Sequence, residues 1–139
     1  MKIALVQMDV AHGQPVENKK HVKEMLERAL VANPDVIVLP EMWNTGYALD
    51  ELDGLADKEG LSSQELLSHF AREHAVAIVG GSVAIERDGK FYNTTYVYNK
   101  SGDLINTYSK VHLFGLMAEN QFMSAGTDES IFELDGVIA

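Results

Sequence analysis

Residues 35–40 read Asp35-Val36-Ile37-Val38-Leu39-Pro40, an apolar run that is β-branched at its centre and ends at a proline, and this predicts a buried strand. Ile3 to Met8 is a similar run, and its consecutive apolar residues favour a strand buried on both faces. Between the two runs, apolar residues recur at helical spacing from about Val16 to Ala32, and Asn33-Pro34 then ends the pattern. Strand, helix and strand in this order predict a βαβ unit with parallel strands.

Residues 40–60 read as a loop with one helical turn, after which Ser62 and Glu65 have the spacing of a capping box before a second helix. A third strand from Val76 to Ile85 is expected to bend at its glycine pair, and Asp88-Gly89 predicts a hairpin turn. The remaining predicted elements are strands at 91–99, 104–108 and 131–134, a turn at Asp135-Gly136, and the start of another strand at 137–139. We therefore expect an α/β fold, a mixed β-sheet with helices on one face.

The composition fits one globular domain and excludes several classes of function. The chain has 139 residues, of which 46% are hydrophobic, so it can bury a core. Its net charge of −10 repels phosphate and anionic lipid, which argues against nucleic acid and membranes as partners. The absence of cysteine excludes disulfides, thiolate metal sites and a cysteine nucleophile within these residues. The N-terminus resembles neither a signal peptide nor a membrane span, so the cytoplasm is the expected location.

Glu41 directly follows the strand at 35–40. A carboxylate just past the C-terminal end of a parallel strand lies where open α/β sheets bind their ligands. The neighbouring aromatic residues Trp43 and Tyr47 could exclude water and raise the pKa of Glu41 toward that of a general base. The alternative is a solvated loop glutamate, with both aromatic residues packing the loop against the protein.

Lys110 lies in a half-apolar segment, where a buried ammonium could stabilise a developing oxyanion. His112 would share its face if the segment is extended. The alternatives are a solvated lysine and a structural histidine. Glu119 follows in a segment that reads equally well as an ordinary exposed helix.

Other motifs of known chemistry are missing from the sequence. Gly80-Gly81-Ser82 lacks the spacing of a phosphate-binding loop, and no G-x-S-x-G elbow of a serine hydrolase occurs. The histidines form no H-E-x-x-H motif, and the five-residue spacing of His69 and His74 is poor for two ligands on one helix face. Metal, nucleotide and serine-hydrolase hypotheses therefore have no support.

Several segments, in their order along the chain, resemble the nitrilase superfamily of carbon–nitrogen hydrolases. The strand at 35–40 with Glu41 is similar to the strand that leads to the family's general base, and Ser109 to Phe114 is similar to its catalytic-lysine motif. Glu119 lies where many members have a second glutamate. Shorter similarities are the opening strand at 4–8, Asn18 at the start of the first helix, Gly80-Gly81-Ser82 in the third strand, and the aromatic–Asn pair of Tyr92-Asn93-Thr94.

The resemblance implies a covalent amidase mechanism that needs no metal or organic cofactor. Glu41 would take a proton from a cysteine thiol, and the thiolate would attack an amide carbonyl. Lys110 would stabilise the tetrahedral oxyanion. Glu119, Tyr47 and His112 would support these groups or bind the substrate. Family members commonly oligomerise, so we expect a homodimer or a larger homo-oligomer.

The resemblance further implies that residues 1–139 are the N-terminal part of one domain, half of a four-layer α-β-β-α sandwich. The family's cysteine follows a strand that begins much as residues 136–139 do, so we expect it just after Ala139, and we expect the chain alone to be inactive. Residues 115–121 resemble the branch that includes ω-amidases of 2-oxoacid amides, which suggests a small linear amide as the substrate. Two alternatives are a non-catalytic short relative that acts as an assembly or regulatory subunit, and an unassigned α/β binding domain.

Overall fold

The computed structural model describes residues 1–134 and 136–139. Within them, seven strands form one mixed sheet in the order β1-β2-β4-β6-β5-β3, with β7 on the other side of β6, and two further strands pair with each other. The predicted turn residue Asp135 lies outside the described residues. The strands are β1 (Ile3–Leu5), β2 (Val36–Val38), β3 (Asp57–Lys58), β4 (Ala77–Val79), β5 (Val83–Arg87), β6 (Lys90–Tyr98), β7 (Leu104–Ser109), β8 (Glu133–Leu134) and β9 (Val137–Ile138). The helices are α1 (Pro15–Leu30), α2 (Leu52–Leu55), α3 (Leu61–His74) and α4 (Glu119–Phe122), with 3-10 turns at Leu49–Glu51 and Gly115–Met117.

The predicted βαβ unit is confirmed. β1 and β2 are parallel, with Ile3 opposite Val36, and α1 connects them. β4 extends this parallel group on the far side of β2, with Ala77 opposite Val36. The C-terminal ends of these strands therefore meet at one edge of the sheet, which is the edge that Glu41 leaves from.

The prediction that the first strand is buried on both faces is wrong. β1 is the edge strand of the sheet, and its Leu5 side chain is 74% exposed. Ile3 is also exposed, whereas Val6, just beyond the strand, is buried in the main core. The run of apolar residues predicts a strand but does not reveal which of its faces another element covers.

The strand predicted for 76–85 is divided into β4 and β5 by Gly80-Gly81-Ser82. β6 pairs antiparallel with both pieces: Tyr98 lies opposite Ile78 in β4, and the first half of β6 forms the predicted hairpin with β5. The break at the glycine pair therefore lets one long strand join two short ones. It also brings residues 80–82 against the backbone that precedes Glu41.

The second helix forms as predicted, but not with the predicted cap. α3 begins after Gly60, which has a left-handed φ of +67°, and no side chain caps it from that position. The carboxylate of Asp57 accepts hydrogen bonds from the backbone N–H groups of Ser62 and Ser63, at 3.2 and 2.7 Å. A capping box at Ser62 and Glu65 is therefore wrong, because β3 already supplies a carboxylate acceptor to the first turn of the helix.

The two long helices cover one face of the sheet, as predicted. Their buried residues form the main core with alternate residues of the central strands; examples are Leu26 of α1, Leu67 of α3 and Ile78 of β4. The opposite face carries two smaller apolar clusters, one around Val97 and Leu134 and one that includes residues of the short helical segments at 49–55. No helix within 1–134 is long and apolar enough to cross a membrane.

Candidate active site

Glu41 follows β2 and is held there by a tight backbone elbow. The next residue, Met42, has a left-handed φ of +51°, which is unfavourable for a residue with a side chain. Ser82, in the break between β4 and β5, fixes this conformation, because its hydroxyl accepts the Met42 N–H at 3.0 Å and its carbonyl accepts the Trp43 N–H at 3.1 Å. The Ser82 N–H in turn donates to the carbonyl of Pro40 at 3.1 Å.

Two buried side chains hold the loop beyond the elbow. The indole N–H of Trp43 donates to the carbonyl of Gly80 at 2.9 Å. The Asn44 side chain donates to the carbonyl of Ala84 and accepts its N–H, both at 2.9 Å, and so pairs with β5 as a strand would. Asn18 of α1 donates to the Asn44 carbonyl at 2.9 Å. These bonds fix the loop to the sheet, so Glu41 leaves from a rigid support.

Lys110 lies one residue beyond β7. Its backbone N–H donates to the carbonyl of Asn93 at 2.8 Å, and its carbonyl accepts the N–H of Gly126 at 3.0 Å. The side chain is 25% exposed, and Nζ lies 2.9 Å from both Oε1 of Glu41 and Oε2 of Glu119. One ammonium therefore pairs with two carboxylates that come from distant parts of the chain.

Glu119, the first residue of α4, has a fully buried side chain at 0% exposure. Its Oε2 accepts the Phe114 N–H at 2.7 Å in addition to the Lys110 contact. Its Oε1 accepts an N–H of the Asn93 side chain at 3.0 Å. A buried carboxylate is stable only when such groups replace water, and here both oxygens have partners. The reading of Glu119 as an ordinary exposed helix residue is therefore wrong.

Asn93, in the middle of β6, is a member of this cluster that the sequence did not single out. Its Nδ2 donates to Oε1 of Glu41 at 2.9 Å as well as to Glu119. The aromatic–Asn pair of Tyr92-Asn93-Thr94 resembles a segment of the family, but this resemblance assigned no role to Asn93. Strand alternation supplies the missing information, since Asn93 lies opposite Ala84 on the face that does not carry the long helices.

The cluster shifts the pKa values of its charged groups in opposite directions. Burial raises the pKa of Glu41, but hydrogen bonds from Lys110, Tyr47 and Asn93 together lower it below 4.5. Burial also raises the pKa of Glu119, but hydrogen bonds from the Phe114 N–H, Asn93 and Lys110 outweigh this effect and lower the pKa overall. For Lys110, burial lowers the pKa, but both carboxylates raise it above 10.5. All three groups are therefore ionised at neutral pH.

The expectation that aromatic neighbours raise the pKa of Glu41 is wrong. Trp43 is buried in the main core, where its indole N–H donates to a backbone carbonyl instead of covering Glu41. The Glu41 side chain remains 47% exposed. Tyr47 is half-buried and hydrogen-bonds to the Glu41 carboxylate, which lowers the pKa of Glu41. Burial and this bond raise the pKa of Tyr47 to about 12, so its hydroxyl keeps its proton and donates it.

His112 is not brought into the cluster. Its side chain is exposed and forms no hydrogen bond or ion pair with the residues that the structure describes. The cluster instead lines a cleft of about 240 Å³, whose walls include Glu41, Lys110, Thr95 and Tyr108. Within the described part of the chain, no three His, Asp or Glu side chains are arranged to bind a metal ion.

A sequence profile of the family described as carbon-nitrogen hydrolase matches residues 2–139. The chain belongs to the carbon-nitrogen hydrolase family. A similar curated relative is a 2-oxoglutaramate amidase of Bacillus subtilis, 46% identical over 97% of this chain and 52% of its own length. The ω-amidase NIT3 of Saccharomyces cerevisiae is 32% identical over 86% of this chain and 44% of its own length.

Solved structures of carbon-nitrogen hydrolases have the same fold. The crystal structure of yeast Nit3, a member of branch 10 of the nitrilase superfamily, matches 99% of this chain with a TM-score of 0.86 and 26% sequence identity. The match covers 53% of the Nit3 chain. The chain thus spans about half the length of the relatives it matches, and the predicted α/β architecture and superfamily are confirmed.

Proposed function

We propose that this chain supplies the base and the oxyanion-stabilising lysine of a cysteine-dependent amidase that acts on small linear amides. The observation that carries the proposal is the contact of Lys110 Nζ with Glu41 and Glu119, both at 2.9 Å, beside an open cleft. Family membership supports the reaction class. The sequence contains no cysteine, so the proposal includes a cysteine that follows Ala139 within about ten residues of one continuous domain.

In the first half-reaction, Glu41 accepts the proton of the cysteine thiol, and the sulfur attacks the amide carbonyl carbon. The carbonyl π bond becomes an oxyanion, and collapse of this tetrahedral intermediate breaks the C–N bond. Glu41 returns the proton to the leaving nitrogen, so ammonia departs and a thioester remains. Glu41 is ionised at neutral pH, because hydrogen bonds lower its pKa, so the carboxylate is free to accept this proton when the substrate arrives.

In the second half-reaction, Glu41 takes a proton from water, and the resulting hydroxide attacks the thioester carbonyl. The C–S bond breaks, Glu41 returns the proton to the departing cysteine thiolate, and the carboxylic acid is released. Lys110 stabilises the oxyanion in both halves. Its Nζ carries three N–H bonds, and among the described residues two of them are used by Glu41 and Glu119, so one remains for an oxygen of the substrate.

The substrate class that we propose is an ω-amide of a 2-oxoacid. Two relatives support it, the 2-oxoglutaramate amidase and the yeast ω-amidase. The cleft of about 240 Å³ has room for a small, unbranched molecule. Assembly into a homodimer or larger homo-oligomer, a cytoplasmic location, and supporting roles for Tyr47 and His112 stay predictions that belong with this proposal.

The test is ammonia release by the full-length protein, with 2-oxoglutaramate as substrate and glutamine as its matched analogue. The two amides share the same carbon chain and differ in the 2-oxo group. We expect turnover of 2-oxoglutaramate and a kcat/KM for glutamine that is at least about 100-fold lower, since a site that bonds the oxo group discriminates strongly. The proposal would be contradicted if the full-length protein had no cysteine near Glu41 and Lys110 and released no ammonia. That result would favour a non-catalytic subunit.

A further inference from the structure

Asn93 contacts each of the three charged residues in the cluster. Its carbonyl accepts the backbone N–H of Lys110 at 2.8 Å, and its side-chain Nδ2 donates to Glu41 at 2.9 Å and to Glu119 at 3.0 Å. Because it lies in the centre of β6, with β5 on one side and β7 on the other, its backbone is fixed. The side chain therefore holds two carboxylates from different segments at one rigid point.

The orientation of the Asn93 amide shows which of its groups serves the site. The side chain is buried, and both N–H bonds are directed to carboxylate oxygens, whereas Oδ1 has no hydrogen-bond partner among the described residues. Turning the amide over would place Oδ1 against two acceptor oxygens, so this orientation is the favourable one. A buried unpartnered oxygen is unfavourable for folding, which makes a purely structural role a poor explanation of this asparagine.

The charges of the cluster explain why a neutral donor is needed there. Two carboxylates share one ammonium, so the cluster carries a net negative charge, and like charges this close favour uptake of a proton. The two carboxylate oxygens that face each other across Nδ2 are both Oε1 atoms, and Lys110 contacts only one of them. The Asn93 side-chain amide places the partial positive charges of its two N–H bonds between these two oxygens.

We propose that Asn93 is a positioning residue that keeps Glu41 and Glu119 ionised together and aims Glu41 at the reacting groups. This inference rests on the proposed amidase function for its kinetic consequence, but the ionisation of the two carboxyls can be measured without any turnover. Asn93 takes no proton and forms no bond in the proposed reaction. It acts through the two glutamates.

The experiment compares Asn93→Ala and Asn93→Asp with Asn106→Ala in the full-length protein. Asn106 is the matched control, because it lies in the adjacent strand β7 and its side chain bonds Ser130 rather than the cluster. The first readout is a ¹³C NMR titration of the glutamate carboxyl signals. The second is the pH profile of kcat/KM for 2-oxoglutaramate.

In Asn93→Ala we expect the pKa of Glu41 or Glu119 to rise by about one unit or more, and the acid limb of the kcat/KM profile to move to higher pH by the same amount. Asn93→Asp keeps the side-chain size but adds a third carboxylate, so we expect a shift at least as large. Asn106→Ala should leave both readouts unchanged. If Asn93→Ala does not fold, Asn93→Asp provides both readouts in its place.

Carboxyl titrations that coincide with those of the wild type in a folded Asn93 variant would overturn the proposal. An acid limb of the kcat/KM profile that stays at the wild-type pH would do so as well, because both glutamates would then ionise without Asn93. If the wild-type protein releases no ammonia, the proposed amidase function fails, while the NMR titration still decides the role of Asn93.

Discussion

At the scale of single residues, Lys110 neutralises a carboxylate that is fully buried. Replacing it by methionine, which has a similar length and no charge, leaves Glu119 without its ammonium partner. We expect Lys110→Met to destabilise the protein by about 2–3 kcal/mol, less than for a completely buried pair because Lys110 is partly exposed. Urea unfolding measures this. The control is Lys20→Met, which removes a surface pair with Glu24 at 3.9 Å and should change stability by less than about 1 kcal/mol.

The same residues give stability a defined pH dependence. The pKa values of Glu41 and Glu119 are lowered by folding, so their contribution is complete above 4.5 and is lost as pH falls through the folded values. The pKa of Lys110 is raised, so its contribution is present below 10.5 and is lost only as pH rises beyond that. Urea midpoints measured across pH should therefore fall on the acid side, and the difference between wild type and Lys110→Met should shrink there. A difference that is constant from pH 7 to pH 3 would contradict this assignment.

Sequence alone singled out Glu41, Lys110 and Glu119, because each lies in a recognisable segment and the three occur in the expected order. It could not predict the sign of the Glu41 pKa shift. That sign depends on the donors that surround one carboxylate, and two of them, Asn93 and Lys110, lie 52 and 69 residues away along the chain. Asn93 was missed for the same reason, since its role is visible only when β6 and the two glutamates meet.

At the scale of elements, the glycine break between β4 and β5 determines where Glu41 stands. Gly81 has a left-handed φ of +58°, and a Cβ there would overlap the carbonyl oxygens of Pro40 and Leu39. Gly89, at the hairpin turn, has a φ of +72° but open space around it. The two positions thus share backbone strain and differ in steric overlap.

We expect Gly81→Ala to destabilise the protein by about 3 kcal/mol or more, and Gly89→Ala by about 1 kcal/mol. Gly81→Ala should also lower amidase kcat/KM by about 100-fold, because it displaces the backbone that carries Glu41. Thermal unfolding and ammonia release check both effects. Equal losses in the two variants would mean that the contact with Pro40 has no role in positioning the base.

Local patterns predicted the elements well where the deciding interactions are local. The apolar periodicity of α1 and the Asp-Gly hairpin are both borne out. The cap of α3 was not predictable from Ser62 and Glu65, because the acceptor comes from Asp57 in a two-residue strand that only forms against β5. The exposure of β1 likewise depends on its position at the edge of the sheet, which its own sequence does not reveal.

At the scale of the whole molecule, the edge strand of the main sheet and the separate β8–β9 pair carry exposed apolar side chains. Leu5 on the edge strand β1 is 74% exposed, and Ile138 of β9 is 73% exposed. Such a surface favours association unless another element covers it. We expect residues 1–139, produced by themselves, to bind a hydrophobic dye and to self-associate despite the net charge of −10.

Leu5→Lys should weaken this self-association, because a charge on the edge strand opposes strand pairing. The control is Val31→Lys, at an apolar residue just after α1 that is 90% exposed and belongs to no strand. Analytical ultracentrifugation of the three proteins compares them directly. A Val31→Lys effect as large as that of Leu5→Lys would mean that charge alone, rather than the sheet edge, controls association.

The measurement that tests the central claim most directly is kcat/KM for ammonia release from 2-oxoglutaramate by the full-length protein carrying Glu41→Gln. Glutamine keeps the shape of the side chain but cannot accept a proton, so we expect a loss of about 10²–10⁴-fold. Glu27→Gln, on the exposed surface of α1, should retain wild-type activity. Undiminished turnover in Glu41→Gln would contradict the role of Glu41 as the base and, with it, the proposed function of this cluster.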